Sequence, residues 1–121
     1  MDKRPQPDFP EVLKTISSII SNCEKLLPKF DAGSSQNSLL QNRLQAMYIS
    51  KALVQEEDVG SHYSKEDLEH ALRPIDSIIH KCKAGQAKYA VENSTFVRLQ
   101  KIIDAMIIAQ MLIQAEIRTK S

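Results

Sequence analysis

The chain repeats itself. Residues 8–57 align with residues 67–116 at a constant offset of 59, without a gap, and seventeen of the fifty aligned positions are identical. The identical pairs run from Asp8/Asp67 through Ile16/Ile75, Ile20/Ile79 and Cys23/Cys82 to Leu40/Leu99, Gln41/Gln100, Ala46/Ala105, Met47/Met106 and Glu57/Glu116. A fixed period of this size marks a repeated supersecondary unit. Two copies are fewer than a stacked solenoid needs, so the repeat predicts a closed structure in which each copy covers the other's apolar face.

The unit is a helical hairpin. In the first copy apolar residues recur in alternating steps of three and four at Phe9, Leu13, Ile16, Ile20, Cys23, Leu27 and Phe30. The second copy places Leu68, Leu72, Ile75, Ile79, Cys82, Gln86 and Tyr89 at the same positions. That spacing lays one stripe along a helix. Glycine and aromatic residues are scarce, which disfavours a sandwich or barrel rich in turns and β-formers. The predicted helices cover about 8–32, 35–58, 64–91 and 94–118. The expected fold is all-α: one domain over 1–121, a four-helix bundle of two tandem hairpins related by a pseudo-two-fold axis. Repeat 1 covers about 8–57, a linker about 56–63, and repeat 2 about 64–118.

Local signals agree. Asp8 with Glu11, and Ser64 with Asp67, have capping-box spacing, and Pro10 falls in a first turn where its missing N–H costs little. Gly33 and Asn93 are read as helix stops that accept a left-handed backbone. Ser35 and Ser94 follow as N-cap candidates. Pro28 and Pro74 stand inside predicted helices, where proline removes a hydrogen bond and kinks or ends the helix. Neither has a proline in the other copy: their counterparts are Ala87 and Thr15.

The fourth helix departs from the template. Arg43, Ser50, Glu56 and Asp58 correspond to Ile102, Ala109, Ala115 and Ile117. A helix apolar on most sides calls for burial on more than one side. A homodimer built on Ile102, Ile107, Ala109 and Met111 is therefore expected.

Several functions are disfavoured. A net charge of +1 gives no field to attract nucleic acid. The apolar run Ile102–Ile113 is short and holds Asp104 and Gln110, so no membrane span is read. No secretory leader is read in the opening residues, and two cysteines in such a chain suggest reduced thiols and a cytoplasmic location. The histidines His62, His70 and His80 lack metal-ligand spacing, so no metal or cofactor is expected. The carboxylates Glu56, Glu57 and Asp58 sit at a helix end around the linker, and Glu66, Asp67 and Glu69 sit at a helix beginning, where acidic residues match the helix dipole. Cys23 and Cys82 read as small core residues, with a redox clip between them as the sharper alternative.

The identical polar pairs are the remaining signal. Lys29/Lys88 precede Ser35/Ser94, and a lysine beside a helix start resembles an anion pocket. Two functional expectations follow. The first is a non-enzymatic interaction or regulatory protein that self-associates and docks on a protein partner. The second is a module binding a small anionic ligand at Lys29, Ser35, Lys88 and Ser94.

Overall fold

The structure is a computed structural model that describes residues 9–57 and 62–120. It contains four α-helices: α1 (Phe9–Leu26), α2 (Ser35–Val54), α3 (Lys65–Gln86) and α4 (Ser94–Thr119). Each packs on its neighbour in chain order, and α4 returns to α1, so the helices close into a four-helix bundle. Short connections make successive helices antiparallel. The cross-section is a rhombus. The α2 and α4 backbones approach each other across the bundle, whereas no Cα of α1 lies within 8 Å of any Cα of α3.

Small residues account for the short diagonal. Ala46 and Ser50 stand one turn apart on α2, and Ala105 and Ala109 hold the equivalent positions on α4. All four are at most 1% exposed. Side chains this small let two helix axes draw together. The Ser50 hydroxyl is satisfied inside its own helix, donating to the Ala46 carbonyl oxygen at 2.7 Å. Ile16, Ile20 and Cys23 of α1 and Ile75, Ile79 and Cys82 of α3 are buried in the core, as the heptad spacing requires. The stripe is less complete at its ends. Phe9, Phe30 and Tyr89 are exposed, and Val12 and Ala71 enter the core while Leu13 and Leu72 are half-buried.

The two prolines act differently. Pro28 ends α1: the α-helix stops at Leu26 and one 3₁₀ turn, Leu27–Lys29, follows in place of the helix predicted to residue 32. Pro74 is carried inside α3, which continues unbroken to Gln86. The difference lies in what surrounds them. Pro28 sits where the chain is about to turn, and Pro74 sits between Ala71 and Ile75, whose burial holds the helix together.

The caps correct the sequence reading by one residue. Ser34, not Ser35, caps α2 and accepts the Asn37 amide at 3.1 Å. Asn93, not Ser94, caps α4 and accepts the Thr95 amide at 2.7 Å. Asn93 is thus a helix start with ordinary negative φ, not a left-handed stop, whereas Gly33 does take a left-handed φ of 88°. The Ser64–Asp67 capping box is present, with both bonds at 3.0 Å. Asp8 lies outside the described residues. At the end of α2, Glu56 takes the left-handed position (φ 59°), with Glu57 N–H donating to the Ala52 carbonyl at 2.8 Å and Glu56 N–H to that of Leu53 at 3.0 Å. This is a Schellman ending with glutamate where glycine is usual.

Candidate functional site: the groove between α2 and α3

An open groove of about 830 Å³ lies between α2 and α3. Its α2 wall carries Gln36, Leu39, Leu40, Asn42, Arg43, Gln45 and Ala46, and its α3 wall runs from Asp67 to Lys81 through His70, Ala71, Arg73, Pro74 and Ser77. Leu26 and Phe30, on either side of the 3₁₀ turn at Pro28, complete the lining. Three apolar side chains here face water, led by Leu39 at 67% exposure, with Leu26 and Phe30 beside it.

A smaller cleft of about 260 Å³ lies between α4 and α1. It is lined by Glu11, Val12, Thr15, Lys101, Asp104, Ala105 and Ile108. Six of these are the repeat partners of His70, Ala71, Pro74, Asn42, Gln45 and Ala46, which line the larger groove. Sequence-equivalent residues therefore line both, and the copies differ in what they place there. In the smaller cleft Lys101 and Glu11 form an ion pair at 3.7 Å across the mouth. Their counterparts Asn42 and His70 carry no such charge pair. Val12 fills more space than Ala71, and Ile102 stands where the larger groove has Arg43. One cleft is bridged by an ion pair; the other is not.

The conserved glutamines have structural reasons. Gln100 accepts from Gln86 Nε2 at 2.9 Å and donates to Asp104 at 2.9 Å, while Gln86 Nε2 also donates to the Phe96 carbonyl at 3.2 Å. In the first copy Gln41 donates to Asn37, whose Nδ2 reaches the Phe30 carbonyl at 3.3 Å. Each amide chain ties a helix start to the end of the preceding helix. Sequence reading missed this role, because Asn37 and Gln86 do not occupy matching positions in the repeat.

Both thiols are buried and free. Burial pushes the Cys23 thiol up, opposed by the nearby Arg43 guanidinium, whose charge also reaches Cys82. Burial raises Cys82 as well, against the pull of Arg43 and Arg98. The redox clip between them is ruled out by distance. A disulfide needs Cα atoms within about 7 Å, and no α1–α3 Cα pair comes within 8 Å. Across the first hairpin Tyr48 donates to Glu24 at 2.6 Å, and this bond, with burial second, raises the Tyr48 phenol.

The residues singled out from sequence fall elsewhere. Lys29, Ser35, Lys88 and Ser94 are all exposed at the helix connections, and none lines either cleft. Of the α4 set, Ile107 and Met111 are exposed and Ile102 is half-buried against the core. Ala109 does not belong to an outer face. It is 0% exposed, in the seam with α2, because a small residue is what that approach requires. The burial that α4 calls for comes largely from α3, α1 and α2. Among the described residues no group of three or more His, Cys, Asp or Glu could hold a metal ion, and no helix is long and apolar enough to cross a membrane. Compared with known protein families, curated proteins and solved structures, the chain matches none.

Proposed function

We propose that this chain is a non-enzymatic interaction protein that docks a partner protein in the groove between α2 and α3. The observation that supports this is the apolar cluster of Leu26, Phe30 and Leu39, open to water on a concave surface. Burying apolar surface contributes about 25 cal/mol per Å², and clustered exposed apolar side chains mark interaction surfaces. The second copy has Gly85, Tyr89 and Arg98 at the equivalent positions, so two of the three apolar residues are departures from the shared template.

Photo-crosslinking in cells of the source organism tests the reading. A photoreactive residue at position 39 is expected to give a discrete protein adduct, and one at the equivalent position 98 none. Adducts at neither position, or the same adducts at both, would overturn it.

Self-association is a second reading, supported by Ile107 and Met111, which stand one turn apart on the outer side of α4 with Met111 61% exposed. Sedimentation showing only a 13.7 kDa species would remove it. The anionic-ligand reading at Lys29, Ser35, Lys88 and Ser94 has less support. The cap oxygens of Ser34 and Asn93 already accept amides that such an anion would need.

A further inference from the structure

The charge and backbone of the larger groove say what kind of segment fits it. No ion pair among the described residues engages Arg43, Arg73 or Lys81, all of which line the groove. The two carboxylates on the same walls, Asp67 and Glu69, both stand in the first turns of α3, whereas Arg73 and Lys81 stand further along it. Beyond Glu69 the charged groups lining the groove, Arg43, Arg73 and Lys81, are all cationic. The smaller cleft neutralises its own lysine with Glu11.

Both walls are helices, and among the described residues there is no strand to offer an edge. An extended peptide laid in the groove would bury N–H and C=O groups against side chains that cannot pair them. A helix brings its backbone already bonded. The α3 wall from Asp67 to Lys81 has room for about four helical turns, at about 1.5 Å per residue.

Resting on the docking role assigned above, we propose that the occupant is an amphipathic α-helix of the partner, apolar on the inserted face and acidic along its flanks. Arg73 and Lys81 face its carboxylates from α3, and Leu39 meets its apolar face from α2. The flanking charges set orientation and on-rate, and the apolar contacts hold it.

The test uses the full chain and labelled four-turn peptides with leucines on one face, flanked by glutamate in one peptide and lysine in the other. Fluorescence anisotropy should show the glutamate peptide binding at least about tenfold tighter. Joint Arg73→Glu and Lys81→Glu substitution, at exposed positions, should reverse that order. Leu39→Asp should weaken both peptides while circular dichroism stays unchanged. Equal binding of the two peptides overturns the proposal, as does equal binding of an acidic peptide broken by proline. A concentration-dependent dimer abolished by Leu39→Asp would assign the groove to a second copy and overturn it too. If no peptide binds yet position 39 still crosslinks to a protein, the helical occupant is wrong and the docking role stands.

Discussion

The groove between α2 and α3 and the cleft between α4 and α1 are built from the same repeat positions, yet one encloses about 830 Å³ and the other about 260 Å³. The difference comes from few residues. Glu11 and Lys101 bridge the small cleft, and Val12 stands on its wall. Their counterparts His70 and Asn42 form no such pair, and Ala71 is smaller than Val12. Positions that correspond in the sequence repeat line both surfaces, and the residues at most of them differ. The larger of the two surfaces, with its exposed apolar cluster, is where an interaction role is best sought.

The hairpins differ in the same sense. At the end of α3, Gly85 lets Leu99 pack close: a Cβ there would meet Leu99 Cδ1 at 3.1 Å. The first hairpin has Leu26 at this position, and its side chain lies partly exposed on the groove wall. Pro28 then stops α1, while α3 and α4 run longer than α1 and α2. The second hairpin packs more completely, and the first spends apolar surface on the groove.

Exchanging residues between copies tests how far the equivalence holds. The largest effect is expected for Thr15→Pro, which gives α1 the proline that α3 carries. Inside a helix this costs about 3 kcal/mol, read as a lowered urea midpoint. A loss well under 1 kcal/mol would show that α1 tolerates the proline as α3 does. Next come Ala46→Leu and Ala105→Leu, made separately. Each overpacks the seam between α2 and α4 and should destabilise by about 1–3 kcal/mol. A large cost at one and none at the other would show that the two halves do not share the seam equally.

Glu56→Gly should stabilise by about 0.5–1 kcal/mol, since glycine takes the left-handed position without a Cβ penalty. No gain in thermal unfolding would mean that the Glu56 side chain contributes an offsetting interaction. Grafting the ion pair onto the open groove, as Asn42→Lys with His70→Glu, should change stability by less than about 1 kcal/mol, since such pairs are solvent-exposed. It should nonetheless reduce crosslinking from position 39; unchanged crosslinking would mean that the bridge is not what closes the smaller cleft.

The smallest effect concerns Tyr48. Its phenol titrates above the ordinary value because the protonated form donates to Glu24. The folded state holds that proton more tightly than the unfolded chain. The contribution is therefore complete below the ordinary tyrosine range and is lost as pH rises through the raised folded value. Tyr48→Phe should lower stability slightly near neutral pH, with the gap to the parent closing in strongly alkaline solution. A gap that persists there would point to packing and not to the hydrogen bond.

Much of the fold was legible in the residues. The heptads on α1 and α3 and the Ser64–Asp67 cap are local patterns whose physics is contained within one or two turns; the cap appears as expected, and the central positions of both heptads are buried. The caps at Ser34 and Asn93 were misplaced by one residue because serine stands at both Ser34 and Ser35, and asparagine suits either a stop or a start. The site was the least legible part. Lys29 and Lys88 stood out because they are identical in both copies, whereas the open groove is made mostly of positions where the copies differ.

Periodicity and pairwise identity specify which helices form and which stripe each turns inward, since a single helix sets those spacings for itself. They are silent on which diagonal of the bundle is short, on whether two thiols at matching positions can meet, and on which of two equivalent clefts remains open. Those outcomes depend on side-chain volumes and charges brought together from different helices. Ala46 and Ser50 must share a seam with Ala105 and Ala109, and Glu11 must find Lys101, before either has a consequence.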